Sequence, residues 1–502
     1  MTISWLDLLV VISYLAAITI YGARFRKGQR TLRDYFLGGR RLPWWAISFA
    51  VVTAETSILT IIGTPGIAYS SNLGFLQLVL GYLVGRVVVS FALIPRYFAG
   101  EMFTAYQLIE QRFGRALKVF TSGLFLSTRA LAEGVRVFAI AIVIGVIFNS
   151  GVFGSLLIVT ALTLFYTFEG GLTAVIWTEV IQLFIYLAGT VVALFLALHA
   201  VPGGWSEVSR IAYAEGGKLA VFNFHFNWHE PYLFWSGLVG GAFLTTASHG
   251  TDQLIVQFLL AARNRRQSQA ALLASGVVIL LQFTLFLLVG VVLFAFYRHF
   301  PPPHAFARGD QIFPVFVVTQ LPRGLAGLLI AAIIAAGMAN LSAAFNSLAS
   351  SSVMDFYKPF IRPNASEKHY LAVSRGMIVV WGAVLLMAAL VAQHLHQSVL
   401  VLALTVASVP YGSMLGIFLL GVLTKRANGR GALTGALVAL AVMIIVVAYT
   451  PLAWTWYVAV GTVVTFAVGW VASGLGLGTG GWGLGTRGQE TGVREQRTGN
   501  RE

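Results

Sequence analysis

The sequence predicts an all-α polytopic membrane protein, and three observations carry that prediction. Of its 502 residues 58% are hydrophobic and only 10% are charged, against about 25% charged in a soluble domain. Thirteen windows are apolar and long enough to cross a bilayer as helices, the element that satisfies every backbone group within one segment. Lys and Arg gather in alternate connecting segments, as they do in an inserted bundle. The chain contains no cysteine, which removes disulfides and thiolate metal or redox sites.

The windows run in order over 3–21, 44–69, 74–94, 119–148, 153–168, 174–200, 232–260, 270–296, 321–355, 370–393, 398–423, 432–450 and 453–474. The first lacks both a basic flank before it and a small-residue cleavage site, so it reads as a retained helix. Asp7 lies near its outer end and reads as solvated. The connecting segments 22–42, 96–118, 261–269, 354–368 and 425–430, with the tail after 475, hold twenty-four Lys and Arg, while 201–231 and 298–323 hold five. By the positive-inside rule the N-terminus is outside and the C-terminus cytoplasmic, in a plasma or inner membrane. The net charge of +15 then reflects topology, with membrane lipids as the expected contact and no nucleic acid. Segment 201–231, with Trp205, His225, Trp228 and His229, reads as an interfacial aromatic belt or an external cap. Residues 475–502 are Gly-rich and then polar, the composition of a disordered cytoplasmic tail.

Ionisable groups inside a span are costly, and each marks a candidate site. They are Glu55, Glu133, Glu179 and Asp252, with Arg86, Arg129 and Arg136. Window 44–69 carries Thr53, Glu55, Thr56, Ser57 and Thr60 near its centre, followed by Gly63, Pro65 and Gly66. Such a cluster beside helix breakers marks a discontinuous helix, whose freed carbonyls bind a cation and whose N–H groups face a polar ligand. The plainer alternative is a proline kink around a buried, protonated Glu.

In window 321–355, Ala335, Ala339, Ser342, Ala343, Asn346 and Ser350 follow helical spacing and permit close helix contact. Asn340, Ser342, Asn346 and Ser347 add oxygens on a helix that can meet the broken one. Glu179, at the start of its window, is an interfacial carboxylate, a cation ligand or a proton carrier. Arg129, Glu133 and Arg136 share one helical face and read as an ion-pair ladder, with a substrate-facing Arg as the alternative. Asp252 and Gln253 either reach a central cavity or support an unwound helix.

Six stretches carry a family resemblance: DYFLGGRRLPWW at 34–45, GTPGIAY at 63–69, TAYQLIEQRFG at 104–114, GGLTAVIWTEVIQ at 170–182, GTDQLIVQ at 250–257 and NSLASSSVMDFYKPF at 346–360. In that order they resemble the sodium:solute symporter family, over about residues 1–470. The resemblance implies an extra N-terminal helix and basic loop over 1–43, then inverted five-helix repeats at 44–200 and 232–423 flanking the 201–231 loop. Further helices follow over 424–474, and core helices one and six are discontinuous. It implies solute binding around Glu55, Ser57, Thr60, Gln77, Asp252 and Gln253.

The family's principal sodium site falls here on Thr53, Thr56, Ala336, Ala339 and Asn340, where Ala339 and Asn340 replace the usual pair of hydroxyl residues. Asn340 keeps a carbonyl oxygen, a hard ligand, and Ala339 has only its backbone. A second sodium site of some members falls on Glu179, where Asp is usual, and on Ser342, with Ala343 next to it. Longer carboxylates beside depleted hydroxyls fit a reshaped sodium site or coupling to protons.

The expected function is cation-coupled symport of a small polar organic solute by alternating access, with Na+ as the coupling ion. Proton coupling on the same fold and a non-transporting solute sensor are the alternatives. There is no GxxxxGK[ST] loop for ATP, no metal-ligand cluster and no nucleophile constellation, so the chain reads as a carrier and not an enzyme. Glu55 disfavours an anionic solute unless it is protonated or paired with Arg129 or Arg136.

Overall fold

Ser4 opens the first helix, α1 (Trp5–Ala23), as an N-cap whose hydroxyl accepts from Asp7 N at 3.2 Å, the ordinary way to satisfy a first-turn donor. The structure is a computed structural model that describes residues 4–148, 152–302, 306, 309–392 and 399–475. The tail expected to be disordered lies, from 476 on, outside the described residues. After α1 come the short α2 (Leu32–Leu37), then α3 (Trp44–Glu55), α4 (Ile58–Ser70) and α5 (Phe75–Val88). An amphipathic α6 (Tyr106–Phe113) leads into the long α7 (Arg115–Phe148) and α8 (Val152–Ala200), and α9 (Gly204–Ala214) lies in the following loop. The second half holds α10 (Phe234–Gly250), α11 (Gln253–Leu260), α12 (Arg265–His299), α13 (Ile312–Gln320), α14 (Leu325–Ser351), α15 (Glu367–Ala392) and α16 (Val399–Leu423). Two more, α17 (Gly429–Tyr449) and α18 (Tyr457–Gly474), complete the described residues. The one β-bridge among the described residues is isolated and joins Leu42 to Ala262.

Eight described helices are long and apolar enough to span a membrane, and a ninth span results if the bent pair Trp44–Glu55 and Thr60–Ser70, at 63°, is counted as one. Windows 153–168 and 174–200 are parts of α8, divided at Gly171, whose φ of +56° leaves the helical region. Only glycine adopts that conformation freely, and a Cβ there would come within 2.8 Å of Tyr35 O. Helices α5 and α10 meet backbone to backbone, since a Cβ on Gly241 would lie 2.3 Å from Leu78 O. Glycine at such a contact lets membrane helices approach closely.

The basic segments meet at one end of the bundle. Arg40 donates to Met102 O at 3.2 Å, Arg263 to Arg41 O at 3.4 Å, and Arg112 to Thr424 O at 3.1 Å. Segment 201–231 lies across the other end. There Lys218 Nζ donates to Tyr69 O at 2.7 Å, Asn223 N to Gln77 Oε1 at 2.9 Å and Ala453 N to Trp228 O at 2.9 Å. Phe222, Phe224, Phe226 and Trp228 on this segment stay about half exposed. Helix α3 starts at the basic end and α4 finishes at the other, whereas α10 starts at that other end and α11 returns to the basic one beside Leu42. The two broken helices therefore run antiparallel.

Asp7 is not solvated as expected. It is 4% exposed, and its Oδ1 accepts from Gly324 N and Gly327 N, each at 2.7 Å. A carboxylate over a helix N-terminus satisfies orphan donors and complements the helix dipole, so α1 is fastened to the start of the almost wholly buried α14.

Candidate functional site

Both helix breaks follow from local capping chemistry. Helix α3 ends at Glu55, Thr56 turns extended with ψ of 102°, and Ser57 caps α4. Ser57 Oγ accepts from Thr60 N at 3.3 Å and Thr60 Oγ1 accepts from Ser57 N at 3.2 Å, a reciprocal capping box. Pro65 lies inside α4 and does not cause the break. The second break separates α10 from α11, where Asp252 caps the new helix by accepting from Leu254 N at 2.9 Å.

Between the breaks lies a cavity of about 180 Å³. Glu55, Ser57 and Thr60 line it from the first broken helix, Arg129 and Arg136 from α7, and Ser248 and His249 from α10. Tyr232 and Trp454 line it towards the end that carries segment 201–231.

Two charged networks flank this cavity. Glu55 pairs directly with Arg86 of α5, and its Oε2 lies 3.5 Å from His249 Nε2. Arg86 is 1% exposed and also donates to Ser275 Oγ at 3.1 Å and Tyr82 O at 3.3 Å. In the second network Glu133 Oε1 accepts from Arg129 at 3.1 Å and from Arg136 at 2.6 Å. Arg129 also lies 3.3 Å from Asp252 Oδ2, which accepts from Tyr411 Oη at 2.5 Å. The expected ladder thus exists and extends to the second break. Arg136, with 23% of its side chain exposed, pairs with Glu133 and also lines the cavity.

The remaining candidates separate into groups. Gln77 and Gln253 do not line the cavity. Gln77 Nε2 donates to Tyr232 O at 2.9 Å while its Oε1 holds Asn223 N. Gln253 binds Phe103 O at 2.9 Å and accepts from Ala105 N at 2.8 Å. Both carboxamides therefore tie loops to helices. Thr53, Thr56, Glu179, Ala336, Ala339, Asn340 and Ser342 are all buried where α3, α8 and α14 meet. Thr53 Oγ1 lies 3.2 Å from Glu179 O, Asn340 Nδ2 donates to Thr56 O at 2.6 Å and to Ala336 O at 3.0 Å, and Ser342 Oγ donates to Ala339 O at 3.0 Å. Both carboxylate oxygens of Glu179 are buried with no hydrogen-bond partner among the described residues.

Sequence reasoning passed over His249, Tyr411, Tyr186 and Gln282. A signal existed for Gln282, a carboxamide in the apolar run 270–296, and for His249, three residues before Asp252.

Residues 35–439 match the family described as the sodium:solute symporter family. The human sodium-coupled monocarboxylate transporter 1 is 31% identical over 85% of this chain and 70% of its own length. The sodium/sialic acid symporter NanT of Aliivibrio fischeri is 27% identical over 93% of each chain. A solved structure described as the substrate-bound outward-open state of a Na+-coupled sialic acid symporter superposes with a TM-score of 0.86 at 26% identity, covering 94% of this chain and 98% of that one. A nucleobase-cation-symport-1 family transporter shares the fold at a TM-score of 0.54 and 15% identity.

Proposed function

The chain belongs to the sodium:solute symporter family, and from that premise we propose that it moves a small polar organic solute across a membrane in symport with Na+ by alternating access. The observation that carries the reading is the cavity between two antiparallel broken helices, the arrangement in which transporters hold substrate and coupling ion near the midplane. Ser57, Thr60, Arg129 and Arg136 are the proposed solute contacts. Glu179, whose backbone oxygen accepts from Thr53, is the proposed cation site together with Ser342: a buried carboxylate with no partner takes up a proton or a cation, and relatives named as sodium-coupled favour the cation.

The solute is further proposed to carry a carboxylate. Glu55 is spent on Arg86, so it no longer opposes an anion, and two arginines, Arg129 and Arg136, line the cavity with a planar fork that suits a carboxylate. Relatives named for monocarboxylates and for sialic acid support this class. The chain is an integral membrane protein with inverted repeats. We assign the repeats to 44–200 and 232–423 and the basic end to the cytoplasm of a plasma or inner membrane, as the clustering of basic segments supports.

A thermal-shift screen of carboxylates, neutral polyols and amines tests the solute class. Carboxylates are expected to raise the melting temperature more in Na+ than in K+, and Arg136→Gln to abolish the rise. Stabilisation by neutral or cationic solutes alone would contradict the reading.

A further inference from the structure

We propose that this chain couples to one cation and not two, because the carboxamides of Asn340 and Gln282 occupy the place at the first break where a second cation would sit. The inference rests on the sodium-coupled reading above. Ending α3 at Glu55 frees the carbonyl of Thr56, which has no donor from its own helix and must be satisfied by a side chain, water or ion. Asn340 supplies that donor from α14: its Nδ2 lies 2.6 Å from Thr56 O and 3.0 Å from Ala336 O. The Thr56 hydroxyl is met likewise, by Gln282 Nε2 of α12 at 2.6 Å, and Tyr186 Oη holds the other end of that amide at 3.1 Å. Thr56, Ala336, Asn340 and Gln282 are each at most 2% exposed.

The orientation of the Asn340 amide follows from its partners. Both carbonyls only accept, so a reversed amide would set oxygen against two oxygens. A hard cation about the size of calcium takes its oxygen ligands at about 2.3–2.6 Å, so no ion fits inside a nitrogen–oxygen contact of 2.6 Å. Of the adjacent side chains Ala339 has no oxygen, and Asn340 Oδ1, at the far end of the amide whose nitrogen faces Thr56 O, is one buried oxygen without a partner among the described residues and not the pair of hydroxyls that would ligate an ion. The amide does what a bound ion would do mechanically, joining α3 to α14, but it is covalently attached and uncharged. That joint therefore does not depend on an ion gradient.

Glu179 is the opposite case. It lies one hydrogen bond from Thr53, on the neighbouring helix, with two buried carboxylate oxygens that no described group satisfies. The single coupling cation belongs there.

Equilibrium binding of radiolabelled sodium to the purified full-length protein decides the matter. The wild type is expected to bind one sodium per chain, and Ala339→Ser/Asn340→Ser, which puts hydroxyls in place of the amide and methyl, is expected to bind two. Two per chain in the wild type would overturn the proposal and leave sodium coupling intact. A double variant that melts at the wild-type temperature yet stays at one would overturn the role given to Asn340. No saturable sodium at all would remove the sodium-coupled reading and this inference with it. If the double variant does not fold, the wild-type stoichiometry alone decides.

Discussion

At the first break an extended Thr56 precedes a Ser57 cap, and at the second Thr251 precedes an Asp252 cap, yet the groups that hold the two breaks differ in charge. The first is satisfied by hydroxyls and by the neutral amides of Asn340 and Gln282. The second is held by a carboxylate shared between a helix N-terminus, Arg129 and Tyr411. A discontinuous helix needs its freed groups satisfied, and the side chain that does so decides whether the break is an ion site, a strut or an electrostatic anchor. His249, on the helix of the second break, lies 3.5 Å from Glu55 at the first, so the two breaks face each other at the cavity.

The comparison breaks most readily at Asp252. Asp252→Ala leaves Arg129 without one of its two carboxylates and α11 without its cap, and removing one partner of a buried ion pair costs about 3–5 kcal/mol. Ser57→Ala at the first break removes only a neutral cap, worth about 1 kcal/mol. Unfolding by denaturant in detergent micelles reads both, and equal losses would show that charge does not distinguish the breaks.

The smallest expected effect lies outside the spans and checks that the ion pairs at the cavity are special. Glu207 of α9 is held by Arg210 through two 2.7 Å bonds and lies 3.1 Å from His299 Nε2. Chiefly through the Arg210 hydrogen bond, its carboxyl stays at about 2, below the ordinary value. A depressed value stabilises the folded form above the unfolded carboxyl range and loses that contribution as pH falls towards about 2. The chain has no cysteine, so a spin label at Tyr213→Cys on α9 reports this contact alone. Its mobility is expected to stay constant from pH 8 to 5 and to rise only under stronger acid; a transition near pH 6 would contradict the assignment.

The legible part of the site was its polar density. Thr53, Glu55, Thr56, Ser57 and Thr60 within one apolar window announced a broken helix, although Pro65 and Gly66, which looked like its cause, sit inside α4. The Arg129, Glu133 and Arg136 ladder was readable because its members share one helix face. The partners across helices were not. Arg86 meets Glu55 from 31 residues away and Asp7 caps a helix 317 residues on, and no periodicity links such positions. Gln77 and Gln253 were misleading in the same way, because a buried carboxamide looks alike in sequence whether it faces a solute or fastens a loop. Asn340 was visible as a departure from the family's hydroxyl pair, but which end of its amide faces the break is set by Thr56 O, and only the fold brings that oxygen to it.

Uptake into proteoliposomes under imposed gradients tests sodium-coupled symport most directly. With a carboxylate found by the binding screen, an inward Na+ gradient is expected to drive accumulation, and a pH gradient in K+ alone is not. Accumulation that follows the pH gradient and ignores Na+, or binding without any uptake, would contradict the account.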